Sequence, residues 1–178
     1  MARISPLVAL PPLLFVALAA LFAGGMFRED PDALPSVLVD RPAPPLNVVP
    51  LAGKPLLESA NLTETDGPKI VNFWASWCAP CRVEHAQLMT LADEGLPVFG
   101  VNYKDDPDKA LGFLAELGDP YRAIGADDNG RVALEWGVYG VPETFIVDGD
   151  GNVVLRFAGP VTESILENRI RPALEQAR

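Results

Sequence analysis

Histidine occurs once and cysteine twice in this chain of 178 residues. A single imidazole cannot build a multi-histidine metal site, and two thiols cannot supply a four-cysteine zinc or iron–sulfur site. They also fall short of the disulfide density of small secreted scaffolds. Bases are scarce: 14 Lys and Arg stand against 24 Asp and Glu, a formal net charge of −10. Such a surface has little with which to neutralise phosphates, which argues against a nucleic-acid partner. Nor is it the polybasic face that anionic lipid headgroups attract. Apolar side chains are plentiful, 49% of the sequence with 21% charged, a globular composition of about one domain. No internal repeat is present. Any chemistry lies with the two cysteines, and neither a metal nor a cofactor is expected.

No charged residue occurs between Arg3 and Arg28, and Leu7 to Phe27 is almost wholly apolar, about the length of a membrane-spanning helix. Pro11 and Pro12 interrupt it, but membrane helices tolerate proline. The competing reading is a cleavable signal peptide with a small-residue site at Ala17-Leu18-Ala19. Cutting there would leave Leu21 and Phe22 near the new terminus. Residues 1–27 are therefore read as an N-terminal membrane anchor or signal peptide. Arg3 precedes the apolar run, whereas Arg28, Glu29, Asp30 and Asp32 follow it. The positive-inside bias puts the N-terminus in the cytoplasm and the bulk of the chain outside, as a single-pass protein. Residues 28–45, with Pro31, Pro35, Pro42, Pro44 and Pro45, read as an extended tether, and residues 46–178 as the folded domain.

Leu46–Val49 and Lys54–Leu57 look like a small N-terminal hairpin. Lys69–Ala75 is a compact apolar run of strand type. Ala79–Glu94 reads as a helix with Pro80 in its first turn, where proline is tolerated. Pro97–Tyr103 is a second core strand. Pro107–Leu117 is helical, with Gly118 past its end. A short strand over Tyr121–Ile124 and a short helix over Gly130–Trp136 follow. Glu143–Asp148 and Asn152–Ala158 flank Gly149-Asp150-Gly151, a hairpin signal. Glu163–Ala177 closes the chain as a helix. The pattern is α/β with a mixed sheet.

Both cysteines fall in Trp77-Cys78-Ala79-Pro80-Cys81, at the end of a strand and the start of a helix. A sulfur there faces unpaired backbone N–H groups and the positive end of the helix dipole. Both favour thiolate, the reactive species, so Cys78 is read as the nucleophile. Cys81, one turn on, can close a disulfide with Cys78 and resolve a mixed disulfide. The pair could instead be half of a zinc site with His85 as third ligand, but a fourth ligand is missing. A purely structural disulfide is a third reading, though a bridge between near neighbours constrains little of the unfolded chain.

The run Val71-Asn72-Phe73-Trp74-Ala75-Ser76-Trp77-Cys78-Ala79-Pro80-Cys81-Arg82 resembles the active site of thioredoxin-fold proteins. Val138-Tyr139-Gly140-Val141-Pro142-Glu143-Thr144-Phe145 resembles that family's second signature, a loop with a cis-proline beside the disulfide. The implied fold is a thioredoxin-like three-layer sandwich with a mixed central sheet, an N-terminal hairpin and a central βα insert around residues 103–125. The apolar N-terminus, Arg82-Val83-Glu84-His85 after the second cysteine and Glu143 after the proline resemble, more narrowly, the membrane-anchored thiol:disulfide interchange proteins of cytochrome c biogenesis, the DsbE/CcmG type.

The resemblance implies that the backbone of Val141 pairs with an incoming peptide and that Pro142 is cis. Trp77 and Pro80 would border the partner, with Trp77 as an exposed apolar platform, while Phe73 and Trp74 pack in the core. Minimal thioredoxins carry a buried aspartate where this chain has Asn72, which cannot take a proton. Glu84 and Glu143 are the candidate replacements, as proton acceptor or as acids that tune the thiols. Glu84 also reads as a solvated helix residue, His85 as a helix-surface residue, and Asp105–Asp108 as a solvated loop and helix start. An anion near Cys78 disfavours its thiolate and keeps the protein from being a strong oxidant.

The function so implied is a periplasmic thiol:disulfide oxidoreductase acting as a reductase in cytochrome c maturation. Its partner would be apocytochrome c or a biogenesis thiol protein, and its electron source a membrane donor of the DsbD/CcdA type. The alternatives are a general exported disulfide reductase or oxidant, and a non-enzymatic metal or haem delivery module.

Overall fold

The computed structural model describes residues 6–26 and 37–178. The chain divides into two compact units, Met1–Ala33 and Leu34–Arg178. In the first, α1 (Pro6–Met26) carries Pro11 and Pro12 within it. Side chains are described for residues 10–24 of this helix, and Leu13, Phe15 and Leu21 among them are exposed. Among the described residues no helix is long and apolar enough to cross a membrane. The span expected over 1–27 is thus not carried by the described residues, and its two ends lie outside them.

The second unit is built on a seven-stranded mixed sheet. Its strands are β1 (Arg41–Pro42), β2 (Val49–Pro50), β3 (Lys69–Trp74), β4 (Val98–Tyr103), β5 (Ala123–Asp127), β6 (Glu143–Val147) and β7 (Asn152–Ala158). They lie side by side in the order β1-β7-β6-β3-β4-β5-β2. The three central strands β3, β4 and β5 are parallel, while β6 and β7 run antiparallel beyond β3.

Alternation along β3 sorts the core into two layers. Ile70 and Trp74 face one side, with Leu88 and Leu91 of α3 (Ala79–Asp93) and Phe113 and Leu114 of α4 (Pro107–Leu117). Leu166, Ile170 and Leu174 of the C-terminal helical segment complete that layer. Val71 and Phe73 face the other side, with Phe145 and with Val132 and Trp136 in and just after α5 (Arg131–Glu135). Leu62 of α2 (Ala60–Thr63) joins this second layer. This is the expected thioredoxin-like three-layer sandwich, with α4 and β5 as its central insert. Phe73 and Trp74 are core residues, both almost wholly buried.

Two expectations near the N-terminus change. Leu46–Val49 and Lys54–Leu57 do not pair with each other. β2 instead pairs antiparallel with β5, and Leu56 bridges Ile124 on the same strand. Sheet hydrogen bonds to β5 replace hairpin bonds because β5 would otherwise be an open edge. Within the stretch expected as tether, Arg41–Pro42 pairs with β7, and Ala43 N–H donates to Gly151 O at 2.9 Å. Polar and proline-rich composition concealed both short edge strands.

The C-terminal helix begins at Glu163–Ile165 (α6), widens to a π turn over Leu166–Ile170, and continues as Arg171–Gln176 (α7). Pro172 supplies the reason. It has no N–H, and in a regular α-helix its ring would press on the carbonyl four residues back. The wider turn lets Arg171 N–H bond Leu166 O instead.

Gly100 on β4 is required by close approach. A Cβ there would lie 2.9 Å from Trp74 Nε1 and 3.0 Å from the Tyr121 ring. These two rings stack at 5.5 Å with 17° between their planes, directly over the glycine. Gly100→Ala is expected to cost about 1–3 kcal/mol through overpacking of ring atoms that have nowhere to go. Denaturant unfolding of the two proteins measures it, and equal stability would mean that the rings can shift.

Candidate active site

β3 ends at Trp74, and the chain turns through Ala75-Ser76-Trp77, with Cys78 N–H donating to Ala75 O at 3.2 Å. Cys78 then caps α3 in an extended conformation, φ −86° and ψ 107°. Its Sγ accepts the N–H of Cys81 at 3.1 Å. Cys78 and Cys81 form a disulfide. The first sulfur thus occupies the place where an orphan helix N–H and the dipole stabilise negative charge.

Opposite stands the loop before β6. The Val141–Pro142 peptide bond is cis. Val141 O lies 3.5 Å from Cys78 Sγ, and Pro142 O accepts Gly159 N–H at 2.9 Å. A cleft of about 450 Å³ runs beside the disulfide, between Pro80, the Tyr139–Glu143 loop and Ala158–Pro160. Trp77 is 58% exposed and Tyr139 76% exposed. Trp77 Nε1–H donates to Lys104 O at 3.2 Å, which fixes the direction of the indole. Pro80, Val141 and Pro142 therefore line one cleft, with Val141 O against the Cys78 sulfur, while the exposed Trp77 precedes Cys78 in the chain.

The two candidate acids separate. Glu84 is fully buried on the inner face of α3, not solvated. Its Oε1 accepts Asn72 Nδ2–H at 2.8 Å and its Oε2 accepts Val161 N–H at 3.0 Å. Burial pushes its carboxyl up to about 7, against these two hydrogen bonds, which pull it down. Glu84 stands three residues after Cys81, a spacing that shares one helix face. Glu143 is buried too, but its carboxylate is committed to the loop. It accepts Tyr139 N–H at 2.6 Å, Gly140 N–H at 3.4 Å and Arg156 Nε–H at 2.7 Å. The Arg156 guanidinium also lies over the Tyr139 ring at 4.6 Å.

Two more expectations change. His85 is buried rather than on the helix surface. Its Nε2 lies 3.0 Å from Gly118 O and its ring meets Phe113 edge-on at 5.0 Å. Burial lowers its basicity. Asp105 is not a solvated loop residue. Its carboxylate accepts the N–H and hydroxyl of Ser76, Asn102 Nδ2–H at 3.0 Å and Asp106 N–H at 2.9 Å. It thereby moors the turn that precedes Cys78. Only Asp106 caps α4, through the N–H groups of Asp108 and Lys109, both at 3.1 Å.

Sequence reasoning missed Asp105, Arg156 and Tyr121 as parts of this site. Arg156 carried a signal, a lone charge in the apolar strand β7. Asp105 carried none, since an acid before a helix-capping acid looks like ordinary solvated charge.

The Redoxin family model matches residues 39–170. The thiol:disulfide interchange protein DsbE homolog of Paracoccus denitrificans is 49% identical over 177 residues, 99% of this chain and 98% of the relative. The thiol:disulfide interchange protein HelX of Rhodobacter capsulatus is 47% identical over 95% of this chain and 96% of its own. A crystal structure of a thiol:disulfide interchange protein of the thioredoxin family from Chlorobium tepidum aligns with a TM-score of 0.59 at 26% identity, covering 79% of this chain and 99% of that one.

Glu84 makes stability depend on pH with a definite sign. Its folded pKa is raised from 4.5 to about 7, so the folded state holds the proton that the unfolded state gives up. That contribution is fully present below about pH 4.5 and is lost as pH rises through about 7, a change of about 3 kcal/mol. Denaturant unfolding of the wild type and Glu84→Gln across this range is expected to show the wild type losing that much relative to the variant. A pH-independent difference would remove Glu84 as the titrating group.

Proposed function

The chain belongs to the Redoxin family and to the DsbE-type thiol:disulfide interchange proteins, which makes it a thiol:disulfide oxidoreductase, and from that premise we propose that it works as a reductase in cytochrome c maturation. Its substrate in this reading is the disulfide between the haem-binding cysteines of apocytochrome c, or that of a biogenesis thiol protein. The observation that carries the direction of electron flow is the buried Glu84 carboxyl on the active-site helix.

In the reduced protein, the thiolate of Cys78 attacks one sulfur of the partner disulfide. A Cys78–partner bond forms and the partner's other sulfur leaves as a thiolate, which takes a proton from water. Cys81 then gives its thiol proton to Glu84, and the resulting thiolate attacks Cys78 Sγ. The Cys78–Cys81 disulfide forms and the partner's second thiolate leaves. Two electrons have passed to the partner. A negative Glu84 beside the pair disfavours thiolate, hence the reduced form, so the pair gives up electrons readily.

Tyr139 in the cleft and the exposed Trp77 next to Cys78 supply apolar contact, and the Val141 backbone supplies strand-like hydrogen bonds to the partner chain. Glu143 holds that loop in shape through its own N–H acceptances. An oxidising periplasm does not regenerate the dithiol, so a membrane electron donor of the DsbD/CcdA type is part of this reading.

The charge-free stretch from Ile4 to Phe27 supports an anchor in the inner membrane, with the N-terminus cytoplasmic and the domain periplasmic. An anchor raises the effective concentration of both partners. In this reading residues 1–27 are the anchor, and the proline-rich stretch from residue 28 tethers the domain, whose first strand is Arg41–Pro42.

The Cys81→Ser chain cannot resolve the mixed disulfide and is expected to accumulate an adduct with cytochrome c precursors or a biogenesis thiol protein. Adducts with many unrelated exported proteins would instead identify a general reductase. The full chain, equilibrated against a dithiol buffer and followed by Trp77 and Trp74 fluorescence, is expected to show a reduction potential of roughly −270 to −200 mV. A value near about −120 mV would mark a strong oxidant and overturn the electron-donor reading.

A further inference from the structure

Asn72 sits among groups that can each reverse their hydrogen-bonding role. It is fully buried on β3, on the face that meets α3. Its Nδ2 donates to Glu84 Oε1 at 2.8 Å and to Thr144 Oγ1 at 3.1 Å, its cross-strand partner on β6. Its Oδ1 accepts the Tyr121 hydroxyl at 2.9 Å. With Val161 N–H on Oε2, both oxygens of Glu84 face donors.

That arrangement suits the carboxylate and opposes the acid. A protonated Glu84 carries an O–H that needs an acceptor, and Asn72 Nδ2 is none. A half turn of the Asn72 amide about Cβ–Cγ removes the conflict. It brings Oδ1 to Glu84 and Thr144, and Nδ2 to Tyr121. Glu84 then donates to Oδ1, Thr144 donates to Oδ1, and Nδ2 donates to the Tyr121 oxygen. The same three contacts persist with donor and acceptor exchanged. Both hydroxyls are able to play either part, and the two ends of a carboxamide have nearly the same size.

We propose that Asn72 is the positioning residue of a proton-coupled amide switch, rotating by half a turn when Glu84 accepts the Cys81 proton and so converting a site for an anion into a site for an acid. The switch rests on the proton-acceptor role of Glu84 proposed above. The proton leaves Cys81 Sγ, rests on Glu84 Oε1 and returns to water in the next cycle, and no electron moves through the amide. An aspartate at position 72 would take the place of the rotor with a second anion.

The groups around Glu84 come from every element that packs on it. Asn72 lies on β3, Tyr121 ahead of β5, Val161 after β7, and Cys81 on α3 itself, while Thr144 of β6 acts through Asn72. Tyr121 stays neutral throughout, because burial, then the charges of Glu84 and Asp119, push its hydroxyl well above its usual range.

The test uses the full oxidised chain in detergent micelles, with ¹⁵N in asparagine side chains and ¹³C at glutamate carboxyls. The Glu84 carboxyl and the Asn72 side-chain amide signals are expected to move together, with one midpoint near neutral pH. In Glu84→Gln, whose amide stands in for the neutral acid, the Asn72 signals should stay at their low-pH positions up to about pH 9. Titration of Glu84 with motionless Asn72 signals would overturn the switch and leave the proton acceptor in place. Absence of any Glu84 titration between about pH 5 and about pH 9 would overturn both. Asn72→Leu, which removes the donor to the carboxylate, is expected to raise the Glu84 midpoint by about one pH unit. An unchanged midpoint there counts against Asn72.

Discussion

A carboxyl group wholly removed from water must either give up its charge or find donors for both oxygens. Glu84 stands between those two solutions, and the site is arranged around that balance. α3 carries it inward three residues after the resolving cysteine, where burial favours the acid. Asn72 and the Val161 amide favour the anion. The outcome is a group that holds or releases a proton near neutral pH, in contact with the sheet below and with the loop that forms the far wall of the cleft. Tyr121 reaches this centre only because Gly100 leaves room for its ring, so a backbone choice on β4 reaches the chemistry through two hydrogen bonds.

Two further acids, half-buried Asp105 and buried Glu143, do mechanical work. Asp105 gathers four donors from the β3–α3 turn and from the connection between β4 and α4, and moors the turn before Cys78. Glu143 gathers the amides of its own loop and the Arg156 guanidinium, and keeps the peptide before Pro142 turned toward the sulfur. A charge placed in such a net is paired on every side, which is how buried ions are tolerated. The three acids thus divide the labour: one, three residues after Cys81, is poised to titrate near neutral pH, and two hold the turn and the loop on either side of the disulfide.

Much of this was legible in the sequence, and the residues that were not share a reason. The apolar run Lys69–Trp74, the helix Pro107–Leu117 and the strand Asn152–Ala158 announce themselves by pattern, because burial of whole faces imposes periodicity. The cysteines and the cis-proline segment announce themselves by motif. Edge strands of two residues impose no pattern, so Arg41–Pro42 and Val49–Pro50 passed as tether and hairpin. The burial of Glu84, which the sequence offered as a proton acceptor, and the place of His85 in the core were equally hidden. Polar side chains on a helix look alike until it is known which face meets the sheet. Asn72 was visible only as a departure from the thioredoxin pattern, and its value as a rotor follows from three neighbours distant in sequence.

The two borders of the sheet bear on the company this protein keeps. Each outermost strand is two residues long and ends on proline, Pro42 on one side and Pro50 on the other. A proline offers no N–H, so neither border presents a continuous ladder on which a foreign chain could extend the sheet. An enzyme that trades disulfides with other polypeptides meets chains in extended form, and an open border would collect them and nucleate aggregates. In the proposed reading the cis-proline loop beside the sulfurs is left as the place where a passing chain adds itself as a strand, so that binding and chemistry are confined to one spot.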